Sequence, residues 1–341
     1  MTTPHKSIFI SGATGFIAQH IIRLLLAKGY NVVGTVRSVE KGDHLKKLLG
    51  SDAFQYEVVA DIGKAGAFDD ALKKHPEVTV FLHTASPFHY NTDNIERDLY
   101  FPAINGTKNA LSSVLAHGPQ ITKVVVTSAY GAMMNPAKFY DPSHTDTEES
   151  WNPITWDEGK LNAQLGYYAS KKFAEQAARD FYKDKQPAFS LNYVNPVVVF
   201  GPQAYDADVK PELNASAKKV KNVLDLTIES SVPGLPDFFV DVRDVARAHL
   251  VAFENDLPNE RLLLFSEKYS GQDLLDIINE SFPSLKGKLP IGTPGTGYED
   301  TGRMCQIDNR KTMKTLGFPF IDLKTSVVDA AEQILRVRGG N

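Results

Sequence analysis

The sequence predicts an α/β protein with a Rossmann-type doubly wound parallel sheet, followed by a smaller mixed α/β C-terminal region. Three observations support this class: a glycine turn between a strand and a helix, alternating strands and helices over two-thirds of the chain, and a changed pattern after Phe200. Short apolar strands separated by helices are typical of parallel sheets covered on both faces. Right-handed crossovers then favour the doubly wound topology.

The glycine turn reads Ser-Gly-Ala-Thr-Gly-Phe-Ile-Ala at residues 11–18, between an apolar strand at 7–10 and a helical stretch at 17–28. A second strand follows at 32–36. Glycine lets backbone N–H groups approach a pyrophosphate at the positive end of a helix. An ordinary glycine-rich turn is the alternative, but this setting predicts a Rossmann-type dinucleotide site. Its expected cofactor contacts are Gly12, Thr14, Gly15, Phe16 and Ile17.

Later segments extend the sheet and then depart from it. Strands are predicted at 56–60, 78–83, 124–127 and 191–194, with long helices at 95–115 and 172–184. Beyond Phe200, helical segments at 215–226, 242–253, 274–282 and 323–337 mix with one strand at 262–265. We therefore predict a dinucleotide-binding domain over 1–200, to which part of 238–265 returns, and a smaller substrate-binding region over 201–341. The acidic stretch 141–149 is predicted to be a solvated loop.

Composition narrows the function classes. A formal net charge of −4 over 341 residues gives no reason to expect nucleic acid or an anionic membrane as partner. Cys305 is the single cysteine, which excludes an intrachain disulfide, and the nine histidines show no metal-ligand spacing. No apolar run approaches the ~18 residues of a bilayer span, and the polar N-terminus shows no signal peptide. We expect a cytoplasmic protein, monomer or homodimer, that acts on a small molecule.

The end of the second strand bears on the choice of dinucleotide. NAD-binding domains place a carboxylate there to bind the ribose hydroxyls. Here the strand ends in Val36 and Arg37, and Lys41 follows. A guanidinium matches the geometry of a 2′-phosphate, so NADP(H) is favoured; a plain surface arginine is the alternative. Asp61 and Ile62, after the third strand, are expected near the adenine, although a loop acid is nearly as often a turn residue.

Two overlapping Tyr-x-x-x-Lys pairs, Tyr167 with Lys171 and Tyr168 with Lys172, are the candidates for chemistry. Four-residue spacing on a helix places phenol and ammonium on one face. A nearby ammonium favours the phenolate, so such a phenol can protonate a carbonyl oxygen while a hydride reaches the carbon. The spacing alone is common, and an amphipathic helix is its default explanation. It gains weight beside a cofactor turn.

With both features present, the chain resembles the extended branch of the short-chain dehydrogenase/reductase superfamily. More narrowly it resembles fungal NADPH-dependent methylglyoxal and carbonyl (aldehyde) reductases, which are related to dihydroflavonol reductases. The resemblance covers nearly the whole chain. Besides the glycine turn, its motifs are HTASPF at 83–88, EESWN at 148–152, SKKFAE at 170–175, NP at 195–196, FGP at 200–202, DVRDVA at 241–246 and AH at 248–249.

The resemblance implies roles for individual residues. A serine stands directly before the family's catalytic lysine, which selects Tyr167 as acid/base and Lys171 as its partner, bound to the nicotinamide ribose. The loop after the fourth strand would line the cofactor through Thr84, Ala85 and Ser86. The nicotinamide would be flanked by Pro196, Val198 and Val199. The substrate pocket would include Phe88, Ala129, Tyr130, Met134 and Val198.

One position departs from the family. Where its pattern carries a catalytic serine after Thr-Ser, this chain has Ala129. Loss of such a donor typically costs about 10²–10³ in turnover. Ser128, Thr127 or a water could take the role, the alanine could be an engineered substitution, or the enzyme could be slow. We keep Ser128 as the third catalytic candidate, although adjacent strand residues face opposite sides.

The favoured function is therefore NADPH-dependent reduction of aldehydes and ketones to alcohols, including 2-oxoaldehydes such as methylglyoxal, with Tyr167 as proton donor. One alternative is a catalytically weak or dead NADP(H)-binding sensor or partner protein. Another is a nucleotide-sugar epimerase or dehydratase on the same fold, which would need a basic cluster for the sugar diphosphate. The sequence shows no such cluster.

Overall fold

A computed structural model describes residues 6–86, 92–232 and 234–339. The backbone divides into two compact units. The first comprises Met1–Pro136, Glu148–Asn195 and Ala246–Leu263, and the second comprises Ala137–Thr147, Pro196–Val245 and Leu264–Asn341.

Strands and helices alternate as the fold class predicts. The strands are β1 (Ser7–Ser11), β2 (Asn31–Val36), β3 (Phe54–Val58), β4 (Val78–His83), β5 (Lys123–Thr127), β6 (Thr145–Thr147), β7 (Ser190–Pro196), β8 (Val198–Phe200), β9 (Asp237–Asp241), β10 (Arg261–Leu264), β11 (Glu267–Tyr269) and β12 (Gln306–Asp308). The helices are α1 (Phe16–Ala27), α2 (Val39–Leu49), α3 (Asp69–Lys74), α4 (Phe101–His117), α5 (Ala163–Lys185), α6 (Ala217–Leu224), α7 (Val242–Glu254), α8 (Gly271–Ser281), α9 (Gly297–Thr301), α10 (Arg310–Leu316) and α11 (Leu323–Gly339).

The main sheet has seven strands in the order β10-β7-β5-β4-β1-β2-β3. The pairings among β1 to β5 and β7 are all parallel. The chain leaves β1 towards one edge and returns at β4 to build the other, so the order reverses between these two strands. Ligands of such sheets bind at the carboxyl ends of the strands beside this reversal. The predicted doubly wound α/β fold is confirmed.

Burial explains why the central strands carry so few polar residues. Phe9, Phe81 and Val124 are fully buried in a cluster that also takes in Phe68 and Leu111 from the helical connections. The Phe9 and Phe81 rings of neighbouring strands stack with centroids 5.0 Å apart. This packing fixes β1 against β4 and therefore fixes the ends of both strands at the reversal.

Two helix predictions need correction. The helix predicted at 95–115 is not one regular helix, because Glu96–Tyr100 forms a π-helical turn before α4 begins. The helix predicted at 172–184 begins earlier, because the Asn162 side chain caps it by accepting from the Leu165 N–H at 3.0 Å. Helix α5 consequently includes both Tyr-x-x-x-Lys pairs.

The second unit holds two small sheets, in the orders β11-β9-β8 and β12-β6. Its core is an apolar cluster that includes Phe200, Phe239, Leu275 and Val327. The prediction of a solvated loop at 141–149 was wrong for its central part. Residues 145–147 form β6, whose Asp146 is 2% exposed and lies 3.1 Å from the His144 ring.

The division predicted from the sequence, 1–200 and 201–341, remains a prediction about domains. The compact units differ from it chiefly at residues 137–147, which join the second unit because β6 pairs with β12. Residues 246–263 belong to the first unit, where β10 forms one edge of the large sheet. None of the helices in the described residues is long and apolar enough to cross a membrane.

Candidate active site

The glycine turn lies at the carboxyl end of β1. Gly12 has a φ of +70°, a conformation that favours glycine, and a Cβ there would lie 3.0 Å from the Ala85 Cα. Gly15 precedes α1 in an extended conformation, and no side chain caps the helix. The start of α1 therefore presents its backbone to the surroundings without an intervening side chain. These features fit a pyrophosphate better than an ordinary turn.

The predicted contacts of this turn differ in exposure. Thr14 and Gly15 are exposed, whereas Phe16 and Ile17 are half-buried. The Gly12 N–H donates to Thr35 Oγ1 at 3.1 Å, which ties the turn to β2. The turn is thus anchored to β2 on one side, while Thr14 and Gly15 leave its other side accessible to a ligand.

The loop after β4 is fixed to the same turn through Ser11. The Ser11 Oγ accepts hydrogen bonds from the backbone N–H groups of Thr84 at 3.1 Å and Ala85 at 3.0 Å. Thr84 Oγ1 donates back to the Ser11 carbonyl. Ala85 therefore lies beside Gly12. All three residues of this loop that the resemblance predicts, Thr84, Ala85 and Ser86, are half-buried.

Arg37 and Lys41 are both exposed; Arg37 precedes the N-cap of α2, and Lys41 lies in its first turn. Ser38 caps that helix by accepting from the Lys41 N–H at 3.4 Å. A helix N-terminus that carries two cations is a favourable place for a phosphate. The arrangement is consistent with a 2′-phosphate site, although Arg37 and Lys41 remain predicted contacts.

Asp61 and Ile62 have structural roles that their sequence positions did not reveal. Asp61 Oδ1 accepts from the Gly63 N–H at 2.8 Å and so closes a turn, the alternative explanation of this acid. The Ile62 carbonyl accepts from Asn109 Nδ2 at 3.0 Å, and its side chain packs on Gly106. Contact of either residue with the adenine stays a prediction.

The two tyrosine–lysine pairs on helix α5 have different surroundings. Lys171 Nζ lies 5.9 Å from the centroid of the Tyr167 ring, and both residues are half-buried. Burial lowers the pKa of Lys171 to about 8. Lys172 instead donates to the Ile154 carbonyl at 2.6 Å. Geometry therefore favours Tyr167 with Lys171, as the resemblance implies.

A small cavity lies between Lys171 and the carboxyl ends of β4 and β5. Its lining consists of His83, Ala85, Ser86, Thr107, Val126, Thr127, Ser128, Lys171, Ala174 and Glu175. Sequence analysis identified Lys171, Ser128 and the β4 loop separately, and the structure brings them together. It also adds His83 and Glu175, which belong to the family motifs at 83–88 and 170–175 but had been given no role from the sequence.

Ser128 is not poised to act on a substrate. It is 5% exposed, and its hydroxyl donates to Glu175 Oε2 at 2.7 Å. Thr127 Oγ1 is likewise engaged, at 2.7 Å from His249 Nε2. Because a hydroxyl has a single proton to donate, the bond to Glu175 argues against Ser128 as a replacement for a hydroxyl at Ala129.

Glu175 is the centre of a buried ionic cluster. Its side chain is fully buried, and its Oε1 accepts from Arg261 Nε at 2.6 Å and from Arg179 Nε at 3.2 Å. Burial by itself raises the pKa of Glu175, but the two guanidinium charges and the side-chain hydrogen bonds outweigh it and hold this pKa below its ordinary value. Asn195 Nδ2 donates to Oε2 of Glu175 at 2.9 Å and to the Ala129 carbonyl at 3.2 Å.

The predicted pocket residues lie in several places. Ala129, Tyr130 and Met134 are buried at and after the end of β5. Pro196 ends β7, and Val198 and Val199 lie in β8 of the second unit. Phe88 lies outside the described residues. Their contacts with substrate or nicotinamide stay predictions.

Within the described residues, no group of three or more histidine, cysteine or acidic side chains is arranged to hold a metal ion. Helix α1 begins without a side-chain cap at the point where the sheet order reverses, and Lys171 shares a cavity with the β4 loop. These features define a dinucleotide-dependent enzyme of the short-chain dehydrogenase type. The chain belongs to the NAD dependent epimerase/dehydratase family, whose model matches residues 8–263. The resemblance to extended short-chain dehydrogenases/reductases is thereby confirmed.

Known relatives cover nearly the full chain. The NADPH-dependent methylglyoxal reductase GRE2 of Saccharomyces cerevisiae is 45% identical over 339 residues, which cover 98% of this chain and 99% of that protein. The ketoreductase azaE of Aspergillus niger is 37% identical over 339 residues, with 97% and 98% covered. The crystal structure of yeast methylglyoxal/isovaleraldehyde reductase Gre2 complexed with NADPH matches with a TM-score of 0.95 at 45% identity, covering 98% of this chain and 99% of that one.

Proposed function

We propose that this protein is an NADPH-dependent reductase that converts aldehydes and ketones, including 2-oxoaldehydes such as methylglyoxal, to alcohols. The observation that carries the proposal is the half-buried Tyr167–Lys171 pair, whose lysine shares a cavity with the loop that lies against the glycine turn. The full-length similarity to reductases of such compounds supports the same chemistry. Its partner is a small carbonyl compound.

NADPH, when bound, supplies the hydride. The residues that would hold it are the turn at Gly12 and Gly15, the cations Arg37 and Lys41, and the half-buried loop from Thr84 to Ser86. A negatively charged pyrophosphate is stabilised by the exposed backbone N–H groups at the start of α1. The cations beside α2 favour a ligand that carries an extra phosphate, so they favour NADPH over NADH.

Tyr167 gives its phenolic proton to the carbonyl oxygen as that oxygen becomes an alkoxide. Lys171 stabilises the phenolate that remains, because a positive charge close to the ring favours the ionised form. Its charge persists at neutral pH, since burial leaves the pKa of Lys171 at about 8. The largely apolar surroundings formed by Ala129, Tyr130 and Met134 would bind the remainder of the substrate.

A second candidate function follows from one observation. Ala129 has no hydroxyl, and the hydroxyls of Ser128 and Thr127 are engaged elsewhere. This combination favours a slow reductase, or an NADP(H)-binding protein without turnover. Nothing in the described residues favours the nucleotide-sugar epimerase or dehydratase alternative over reduction.

Monomeric or homodimeric assembly and cytoplasmic location remain predictions. Light scattering on the purified protein tests the assembly.

The decisive experiment compares Tyr167→Phe with Tyr168→Phe. NADPH binding is measured by fluorescence titration, and turnover by NADPH absorbance with methylglyoxal or an aryl ketone. We expect Tyr167→Phe to bind NADPH normally and to lose turnover. Tyr168→Phe removes a hydroxyl that accepts from Gln164 Nε2 at 2.9 Å, and it should keep turnover. Unchanged turnover in Tyr167→Phe refutes the assignment. NADPH binding without turnover in the wild type supports the second candidate.

A further inference from the structure

We propose that His83 is a positioning residue, fixed by Ser11 as the neutral Nε2–H tautomer, which joins the glycine turn, the β4 loop and the Lys171 cavity. The role of His83 in catalysis rests on the proposed function, whereas its tautomer depends only on atoms of this chain. Ser11 and His83 end β1 and β4, where the sheet order reverses.

The hydrogen bonds at Ser11 determine the tautomer. Its Oγ has two lone pairs and one proton. The backbone N–H groups of Thr84 and Ala85 occupy both lone pairs, at 3.1 Å and 3.0 Å. The proton is therefore left for His83 Nδ1, which lies 3.0 Å from the same oxygen. Because Nδ1 must accept, the ring proton resides on Nε2.

The same bonds oppose a second proton on the ring. A protonated Nδ1 would point at an oxygen that has no lone pair left to accept it. Ser11 is fully buried and His83 is 3% exposed, so water cannot take over the bond. Burial lowers the pKa of His83 to about 3, and the charge of Lys171 acts in the same direction. The other titratable group that lines the cavity is Glu175, whose negative charge is compensated by the Arg261 guanidinium.

The arrangement has two consequences for the site. The Nδ1 edge of the ring fixes the hydroxyl that holds the β4 loop against Gly12, where a Cβ would already meet Ala85. The ring also lines the cavity of Lys171. As a neutral group it adds no positive charge that would lower the pKa of Lys171 further. Loop position and lysine charge therefore depend on one imidazole.

Nitrogen-15 NMR of histidine-labelled wild-type protein tests the tautomer without any turnover. We expect His83 to show a protonated Nε2 and an unprotonated Nδ1, with no titration between pH 5 and pH 8. A protonated Nδ1, or a midpoint close to the ordinary histidine value of about 6.5, overturns the proposal. This experiment stands even if the chain reduces no carbonyl compound.

Two isosteric variants test the positioning role by NADPH binding to the free protein. In His83→Asn, the amide oxygen stands close to the place of Nδ1 and can still accept from Ser11. In His83→Gln, the amide stands close to Nε2 and the acceptor for Ser11 is lost. We expect His83→Asn to keep the wild-type Kd and His83→Gln to raise it about tenfold, the weight of one buried hydrogen bond.

Ser11→Ala should weaken NADPH binding at least as much as His83→Gln, because it also removes the acceptor of the Thr84 and Ala85 N–H groups. The double variant should be no weaker than Ser11→Ala alone, because the serine substitution already removes the bond to His83. Thermal unfolding identifies variants that fail to fold. Equal binding by His83→Asn and His83→Gln, or additive losses in the double variant, would show that His83 does not act through Ser11. No NADPH binding by the wild type would instead refute the proposed function, and the NMR result would still decide the tautomer.

Discussion

Glu175→Gln removes the charge that compensates Arg261, and the structure allows its cost to be worked out. The Glu175 side chain is fully buried and that of Arg261 is 3% exposed, so water cannot solvate the guanidinium that remains. Removing one partner of such a buried pair typically costs about 3–5 kcal/mol. We expect a loss of that size in the free energy of unfolding at pH 7, measured by urea denaturation with tryptophan fluorescence.

The matched control is Asp256→Asn in the same unit. Asp256 also pairs with a cation, Lys123 at 2.8 Å, but its own side chain is fully exposed, so we expect no measurable loss. The pH dependence adds a second check. Because the pKa of Glu175 is lowered in the folded state, its stabilisation is complete above about pH 5 and is lost as pH falls through the folded-state pKa. Equal losses in the two variants, or a gap that widens in acid, would refute this reasoning.

Three further predictions concern the site. Arg37→Ala should raise the Kd for NADPH about 10-fold or more and leave that for NADH unchanged, because it removes a charged hydrogen bond to the extra phosphate; equal weakening of both would exclude this contact. The turnover of the wild type should fall as pH rises through about 8, where Lys171 loses its proton, and a flat profile up to pH 10 would show that this charge is not needed. Ala129→Ser should raise kcat, by up to about 10²-fold if a missing hydroxyl limits the rate, and an unchanged kcat would show that it does not.

Local patterns in the sequence were enough to predict the elements that carry the proposed cofactor site. The strand, glycine turn and helix at residues 7–28 are contiguous, so their order and spacing are visible in one stretch of chain. The same holds for Tyr167 and Lys171, which share one helix. Spacing alone left the choice between Tyr167 and Tyr168 open. The family resemblance selected Tyr167, and the bond of Lys172 to the Ile154 carbonyl supports that choice.

Long-range polar pairs were not predictable in this way. Ser11 and His83 are 72 positions apart, and Glu175 and Arg261 are 86 positions apart, so no local pattern joins them. The burial of Asp146 was missed for a related reason. Its strand has three residues, too few for a recognisable alternation, and its partner strand lies far along the chain, at 306–308. The acidic composition of residues 141–149 suggested by itself that the segment is exposed to solvent.

The order in which the chain is synthesised makes the position of β10 important. This strand lies next to β7 at one edge of the large sheet, and it supplies Arg261 to the carboxylate of Glu175. A nascent chain that has emerged only to residue 200 would contain the glycine turn and both tyrosine–lysine pairs. It would nevertheless have an open edge at β7 and an acid without its guanidinium. The nucleotide-binding half therefore has to wait for more than 60 further residues before it can close, and truncation after β8 should yield an insoluble fragment rather than a minimal cofactor-binding domain.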